Sequence, residues 1–251
     1  MKCFDANLIL GEPGTHSAGV LSAAALLSAM DRWGVEAGLV THIGASLGDP
    51  ETGNALLANA VSEAAGGRLR PVPVMPLKDP GAPGFWDEWR SRGSPGVRIC
   101  PECIAEHADD EFLDATLQEL ARRGGFLQVA VLPYHAAKIR TGSLDATTRA
   151  AARRPDVNVL LSCVTRSEFV RALRALREHS NLHLDVGGLT TATAIPELVE
   201  AGLADRLVCG SGFGVSYLPP FFDTVRYSGI PEEAQQAILH DNAVRLVSRS
   251  T

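Results

Sequence analysis

Two ionisable side chains of this sequence lie where short apolar runs end. His42 closes the run AGLVTHI, and Asp185 lies late in the run NLHLDV. A neutral imidazole can act as a general acid or base near pH 7, and a carboxylate at such a position needs a partner or a role. We therefore predict that His42 and Asp185 form an acid–base pair. The alternative for His42 is a hydrogen-bonded histidine at the rim of the fold.

Other polar side chains occupy similar positions in or just after apolar runs. Cys163 is a candidate nucleophile there, because Arg166 or a histidine could stabilise its thiolate. The alternative is that Cys163 packs in the core as a small apolar side chain. All of these side chains could bind the polar groups of a small molecule, and the predicted substrate-binding residues are Asn7, Arg98, Glu102, Tyr134, His135, Cys163 and Ser211.

The cysteine spacing leaves metal and redox roles open at one place only. Cys100 and Cys103 form a CxxC pair with His107 four residues on. A structural zinc site needs four ligands, and the sequence has no second CxxC pair. A redox pair would open a helix after a strand, with which Pro101 is compatible. We expect two unlinked thiols, no metal and no cofactor, and the odd total of five cysteines argues against a disulfide framework.

The elements that must position these side chains alternate along the chain. Apolar, β-rich runs are separated nearly throughout by longer stretches with helical periodicity, which is typical of parallel βαβ units. Near-continuous apolar strands indicate a sheet covered on both faces. The eight predicted strands cover residues 3–10, 37–43, 70–77, 96–100, 126–132, 157–163, 181–186 and 206–211.

Eight such units favour a closed barrel over an open sheet. An open doubly wound sheet more often carries a glycine-rich phosphate loop after its first strand, whereas residues 11–19 (GEPGTHSAG) lack the GxGxxG spacing. We therefore predict an α/β fold, a single (β/α)₈ TIM-type barrel over residues 1–251. In such barrels the site is built from the C-terminal ends of the strands and the loops that follow them, and this rule selects the residues named above.

Composition and charge limit the partners. The formal net charge is −6, and no basic patch is evident, so we expect neither nucleic acid nor an anionic membrane surface as a partner. No apolar run reaches 18 residues, and the N-terminus is a poor signal peptide. Apolar runs that contain free thiols suit a reducing cytoplasm. Residues 219–222 (PPFF) could form a homo-oligomer interface or lie buried under the last helix.

Several segments resemble the amidohydrolase superfamily. FDANLILG at residues 4–11 is similar to the opening of these proteins, which usually reads DxHxH. DRWGVEAGLVTH at 31–42, PDVNVLLSCV at 155–164 and NLHLDVGGL at 181–189 resemble the passage into the second strand, the sixth strand and the seventh strand. RLVCGSGF at 206–213 and GIPEEAQQAILHDNAVRL at 229–246 resemble the last strand and the closing helix.

The resemblance implies a metal-dependent hydrolase, but the implied ligand positions carry other residues. The paired histidines fall on Asn7 and Ile9, the later histidines near Leu132 and on Cys163, and the aspartate on Gly212. A catalytic zinc site needs about three protein ligands. We therefore expect a divergent member that acts without metal on a small polar carbonyl or carboxylate compound, as a hydrolase or lyase. The alternative is a non-catalytic relative that binds a small molecule or serves in assembly.

Overall fold

The computed structural model describes residues 1–12, 22–47, 49–64, 66–76, 80–81, 83–100, 110–131, 142–215 and 219–248. Three predicted substrate-binding residues, Glu102, Tyr134 and His135, lie outside this part of the chain, as does Cys103. The four cysteines within it are buried and form no disulfide bond with one another: Cys3, Cys100, Cys163 and Cys209.

Eight parallel strands form the wall of the fold. They are β1 (Cys3–Leu10), β2 (Val35–His42), β3 (Leu69–Pro71), β4 (Gly96–Ile99), β5 (Phe126–Ala130), β6 (Val159–Ser162), β7 (Leu182–Asp185) and β8 (Leu207–Val208). Strands β1 to β3 pair in chain order, and so do β4 to β8. Two parallel bridges join these groups, Val74 with Arg98 and Leu8 with Phe213. The wall is therefore closed, which confirms the predicted (β/α)₈ barrel.

The third strand is shorter than predicted because of its prolines. Pro71 and Pro73 have no N–H to donate to a neighbouring strand. Past β3 the chain still runs beside β4, because Arg98 N donates to Pro73 O at 2.8 Å and Met75 N donates to Arg98 O at 2.7 Å. This segment closes the gap between the two strand groups and fixes the backbone of Arg98 at the end of β4.

Helices follow the strands around the barrel. They are α1 (Ala23–Trp33), α2 (Ile43–Ser46), α3 (Pro50–Glu63), α4 (Pro83–Ser91), α5 (Asp110–Arg123), α6 (Gly142–Arg153), α7 (Phe169–Glu178), α8 (Ala194–Glu200), α9 (Pro219–Arg226), α10 (Glu232–Gln236) and α11 (Asn242–Ser248). The sequence predicted one closing helix, but a π-helical turn over Ala237–Asp241 separates α10 from α11. In the described part of the chain, no helix has the length and apolarity to cross a membrane.

Helix α9 was not predicted as an element. It begins with two prolines, which the first turn of a helix tolerates because its N–H groups have no intrahelical partner. Phe222 in this helix is 1% exposed and packs in the main hydrophobic core. Of the two alternatives for residues 219–222, an oligomer interface or a buried segment, the burial of Phe222 favours the second for this side chain.

The barrel interior is apolar at its N-terminal end. Phe4 and Phe126, at the starts of β1 and β5, pack in one cluster with interior residues of other strands. Ala243 and Leu246 of α11 join the same cluster, so the closing helix seals this end. A larger cluster lies between the strands and the surrounding helices. With one end sealed by apolar packing, polar side chains gather toward the C-terminal ends of the strands.

The contact between α2 and α3 generates a stability prediction. A Cβ on Gly53 of α3 would lie 2.1 Å from the backbone nitrogen of Ala45 in α2. We expect Gly53→Ala to lower the free energy of unfolding by about 1–3 kcal/mol through overpacking. Gly84→Ala in α4 is the matched control, since no described atom lies within 4 Å of its added Cβ. Urea unfolding measures both, and an unchanged midpoint for Gly53→Ala would contradict this packing.

Candidate functional site

Four predicted site residues meet inside the barrel. Asn7 lies within β1, whereas Arg98, Cys163 and Asp185 lie at or next to the C-terminal ends of β4, β6 and β7. Arg98 Nη1 donates to Asn7 Oδ1 at 2.8 Å, and Arg98 Nη2 lies 3.9 Å from Cys163 Sγ. Asn7 Nδ2 lies 3.4 Å from Asp185 Oδ2 and 3.8 Å from Cys163 Sγ. None of the four is more than 6% exposed. The structure thus joins a cation, an amide, a thiol and a carboxyl group in one buried cluster.

Ser211 is joined to this cluster through Asp5, which was not among the predicted catalytic or substrate-binding residues. Asp5 Oδ1 accepts the N–H groups of Asn7 and Ser211, both at 2.9 Å, and Asp5 Oδ2 accepts the Ser211 hydroxyl. Asp5 is 0% exposed. The signal was an acidic residue within an otherwise apolar strand, because a buried carboxylate needs donors around it.

Gln128 was likewise not among the predicted catalytic or substrate-binding residues, and it links strands across the barrel interior. Its Nε2 donates to Ala6 O at 3.0 Å and to Ser162 Oγ at 2.8 Å. Gln128 is paired in register with Arg98, so it continues the polar row from β4 to β5. No sequence pattern separates such a glutamine from one on the outer face, because that depends on strand register.

Two residues beside the cluster, Cys163 and Gly210, have unusual backbone features. Cys163 has a φ of 59°, which is uncommon for a residue with a side chain and often marks a functional position. A Cβ on Gly210 would lie 2.5 Å from Asp185 Oδ2 and 2.7 Å from Asn7 Cβ. Gly210 therefore leaves the space in which the Asp185 carboxyl group sits.

Burial dominates the electrostatics of the two carboxyl groups. Removal from water raises the pKa of Asp185 to about 7, although the Gly187 N–H at 2.9 Å opposes the shift. The negative charge of Asp5 raises this pKa further, and the positive charge of Arg98 lowers it. Burial also raises the pKa of Asp5, against the hydrogen bonds from Ser211 and Asn7. A carboxyl group with a pKa near 7 can both give and take a proton at neutral pH.

His42 occupies a different place from the cluster. Its Nδ1 accepts the N–H of Gly44 at 3.1 Å and caps α2, and its ring lies against Gly11 at the end of β1. Burial lowers the pKa of His42, which favours the neutral imidazole. None of the contacts described for His42 reaches Asp185. The predicted acid–base pair therefore stays a prediction that no described contact supports.

A family model described as Amidohydrolase matches residues 21–249, which is most of the chain. The chain belongs to the amidohydrolase family. No curated protein is similar enough to this chain to count as a match.

Solved structures with the same fold include an uncharacterised TIM-barrel protein from Bordetella bronchiseptica. It has 18% sequence identity and a TM-score of 0.76, over 100% of this chain and 99% of that one. The 2,6-dihydroxybenzoate decarboxylase from Rhizobium has 14% identity and a TM-score of 0.74, over 99% of each chain. A dihydroxybenzoic acid decarboxylase from Polaromonas sp. JS666, solved with manganese and 2-nitroresorcinol, has 13% identity and a TM-score of 0.74, over 98% of this chain and 97% of that one.

The family implies a metal ion, but the side chains described at this site do not fit one. In the described part of the chain, no group of three or more His, Cys, Asp and Glu side chains could hold a metal. The candidate ligand atoms already face N–H groups: Asn7 Oδ1 accepts from Arg98, and Asp185 Oδ1 accepts from Gly187. Cys163 Sγ faces both the Asn7 amide and the Arg98 guanidinium. A divalent ion would have to break these contacts beside a resident positive charge.

The pKa of Asp185 predicts how stability changes with pH. An aspartate titrates near 3.9 in the unfolded chain and at about 7 in the folded protein. Between these values the folded state holds a proton that the unfolded state has lost, so the free energy of unfolding falls as pH rises. We expect a slope of up to about 1.4 kcal/mol per pH unit from this group.

The variant Asp185→Asn loses the pH dependence that comes from Asp185, while Asp5 still titrates. Its free energy of unfolding should therefore change less between pH 4 and pH 7 than that of the wild type. Asp156→Asn is the control, since Asp156 lies at the surface in an ion pair with Arg154. Urea unfolding at half-unit pH steps gives the curves. Parallel curves for the wild type and Asp185→Asn would contradict the raised pKa.

Proposed function

We propose that this member of the amidohydrolase family is a hydrolase or lyase of a small carbonyl or carboxylate compound and works without a divalent metal. The observation that carries the proposal is the buried contact of Asn7, Arg98 and Asp185 at the C-terminal end of the barrel, where barrel enzymes place their sites. The Rhizobium and Polaromonas proteins are named as decarboxylases of dihydroxybenzoates. Those names support small carboxylates as the substrate class.

Arg98 and Asp185 have complementary roles in this proposal. The guanidinium binds a carboxylate, or a carbonyl oxygen that gains negative charge, because charge-assisted hydrogen bonds in a buried site are strong. The Asp185 carboxyl group transfers the proton, since its pKa of about 7 lets it act in either direction. Asn7 contacts both groups and holds them in one geometry. Cys163 and Ser211, with Glu102, Tyr134 and His135 from outside the described residues, remain proposed substrate-binding residues.

Both reaction classes balance with this single proton carrier. In hydrolysis, ionised Asp185 takes a proton from water while the water oxygen bonds to the carbonyl carbon. Asp185 then gives this proton to the leaving group as the bond between the carbonyl carbon and the leaving group breaks. In decarboxylation, the carbon–carbon bond breaks as carbon dioxide leaves, and the remaining carbon keeps the electron pair. Protonated Asp185 then gives its proton to that carbon and recovers one from water.

A non-catalytic role is the second candidate, because many of the described polar groups of the cluster form hydrogen bonds with one another. Asp5 accepts three hydrogen bonds from Asn7 and Ser211, and Arg98 is 3% exposed. A network of this kind also specifies a unique core without turning over a ligand. The small-molecule ligand, self-association and cytoplasmic location stay proposals in either case.

Measuring turnover in the presence of a chelator distinguishes the metal-independent enzyme from the non-catalytic role. The purified protein is incubated with EDTA and a panel of small carboxylates, amides and lactones that includes 2,6-dihydroxybenzoate. We expect turnover to persist in EDTA, with a kcat/KM that changes with pH around the Asp185 pKa of about 7. Asp185→Asn should lower kcat/KM by at least about 100-fold, because it removes the proton carrier. Asp156→Asn at the surface is the control.

Three outcomes would count against the proposal. If activity disappears in EDTA and returns with manganese or zinc, the enzyme depends on metal. If Asp185→Asn keeps full activity, Asp185 is not the proton carrier. No turnover on any member of the panel favours the non-catalytic role.

The variant His42→Asn tests the predicted acid–base pair. It keeps an acceptor that can cap α2 but removes the titrating ring. The predicted pair requires this variant to lose as much activity as Asp185→Asn, and a smaller loss leaves His42 with its capping contact.

A further inference from the structure

We infer that the Arg98 guanidinium is the built-in cation of this site, which keeps divalent metal out and selects a ligand with a carboxylate group over its neutral amide. The inference deepens the proposed function and rests on it for the identity of the site. Four observations carry it: the position of the guanidinium, its contacts, its charged neighbours and the state of the candidate metal ligands.

The backbone of Arg98 is fixed on both sides. It exchanges hydrogen bonds with Pro73 and Met75 on the β3 side, and pairs with Gln128 of β5 on the other. The residue is 3% exposed, so its side chain extends within the barrel rather than into solvent. A cation held in this way loses little conformational freedom when it binds a ligand, which strengthens its effect on a developing or resident negative charge.

The contacts of the guanidinium suit exchange with a carboxylate. Arginine carries five N–H donors in a planar fork that matches the two oxygens of a carboxylate. In this structure Nη1 donates to the Asn7 amide oxygen at 2.8 Å, while Nη2 faces the Cys163 sulfur at 3.9 Å. A thiol sulfur is a weak acceptor. A carboxylate oxygen in the position of this sulfur would accept a stronger, charge-assisted hydrogen bond from Nη2.

The charges around Arg98 favour a negatively charged ligand when Asp185 is protonated. Arg98 lowers and Asp5 raises the pKa of Asp185, so the three groups act on one another through a buried medium. When Asp185 is protonated, one negative charge near the guanidinium is removed, which favours a ligand carboxylate beside Arg98.

A divalent metal competes poorly for the same position. The oxygen and sulfur atoms that could ligate it face the N–H groups of Asn7, Arg98 and Gly187. A metal ion would also stand beside the guanidinium, and like charges repel strongly where water is excluded. The cation that the site needs is therefore supplied by the chain itself.

Arginine variants test the inference without any assay of turnover. Arg98→Met removes the charge, and Arg98→Lys keeps a point charge but loses the fork. Arg226→Met is the matched control, because Arg226 Nη2 also contacts a cysteine sulfur, that of Cys3, at 3.5 Å. Circular dichroism and thermal melting check that each variant folds. If Arg98→Met does not fold, Arg98→Lys carries the comparison.

The first readout is the preference for a carboxylate over its neutral amide, measured by calorimetry with benzoate against benzamide and acetate against acetamide. We expect the wild type and Arg226→Met to bind a carboxylate at least about tenfold more tightly than the amide. Arg98→Met should lose this preference, and Arg98→Lys should keep part of it. A wild type without the preference, or an Arg98→Met protein that keeps it, overturns the inference.

The second readout is metal content after equilibrium dialysis against manganese and zinc, measured by elemental analysis. We expect the wild type, Arg98→Lys and Arg226→Met to retain much less than one ion per chain. One ion per wild-type chain, lost with Asn7→Ala, overturns the inference. A carboxylate preference without turnover would leave the inference standing and reject the proposed enzyme. Turnover that requires Asp185, without a carboxylate preference that depends on Arg98, would support the proposed enzyme and overturn the inference.

Discussion

The hydrogen bond from Arg98 to Asn7 fixes the orientation of the whole polar cluster. Because the Arg98 guanidinium donates a hydrogen bond to the Asn7 amide oxygen, the amide nitrogen must face Asp185 Oδ2 and Cys163 Sγ. The reverse orientation would place the amide NH₂ group against the guanidinium and the amide oxygen against a carboxyl oxygen. One donor thus decides which atoms of the site give hydrogen bonds and which accept them. This assignment follows from the network of contacts, as amide orientations generally do.

Barrel closure is what makes that hydrogen bond possible. Asn7 and Arg98 are 91 residues apart and belong to strands on different arcs of the wall, β1 and β4. The interior of an eight-stranded barrel is just wide enough for side chains from such strands to meet. Gly210 contributes by leaving room beside Asp185, and α11 contributes by sealing the opposite end with apolar packing. The scaffold therefore determines both the burial of the carboxyl groups and their raised pKa.

The order of elements could be predicted from the sequence because strand and helix periodicities differ, and four side chains of the cluster followed from their position near strand ends. What could not be predicted depends on three-dimensional register. Asp5 and Gln128 face the interior only because of how β1 and β5 pair with their neighbours. His42 also ends a strand, yet its ring turns back to cap α2. Strand position limits the candidates, whereas contact between them depends on side-chain direction.

In the proposed mechanism, Arg98 and Asp185 share a task that a single metal ion performs in metal-dependent hydrolysis. A divalent ion supplies positive charge and activates water at the same place. Here positive charge is permanent on Arg98, and the mobile proton resides on a different group, Asp185, whose pKa lies near neutrality. A guanidinium cannot generate hydroxide, so any water that reacts must lose its proton to the carboxylate. The proton carrier must therefore be ionised for hydrolysis and protonated for decarboxylation, which makes pH a means of separating these two reaction classes in this protein.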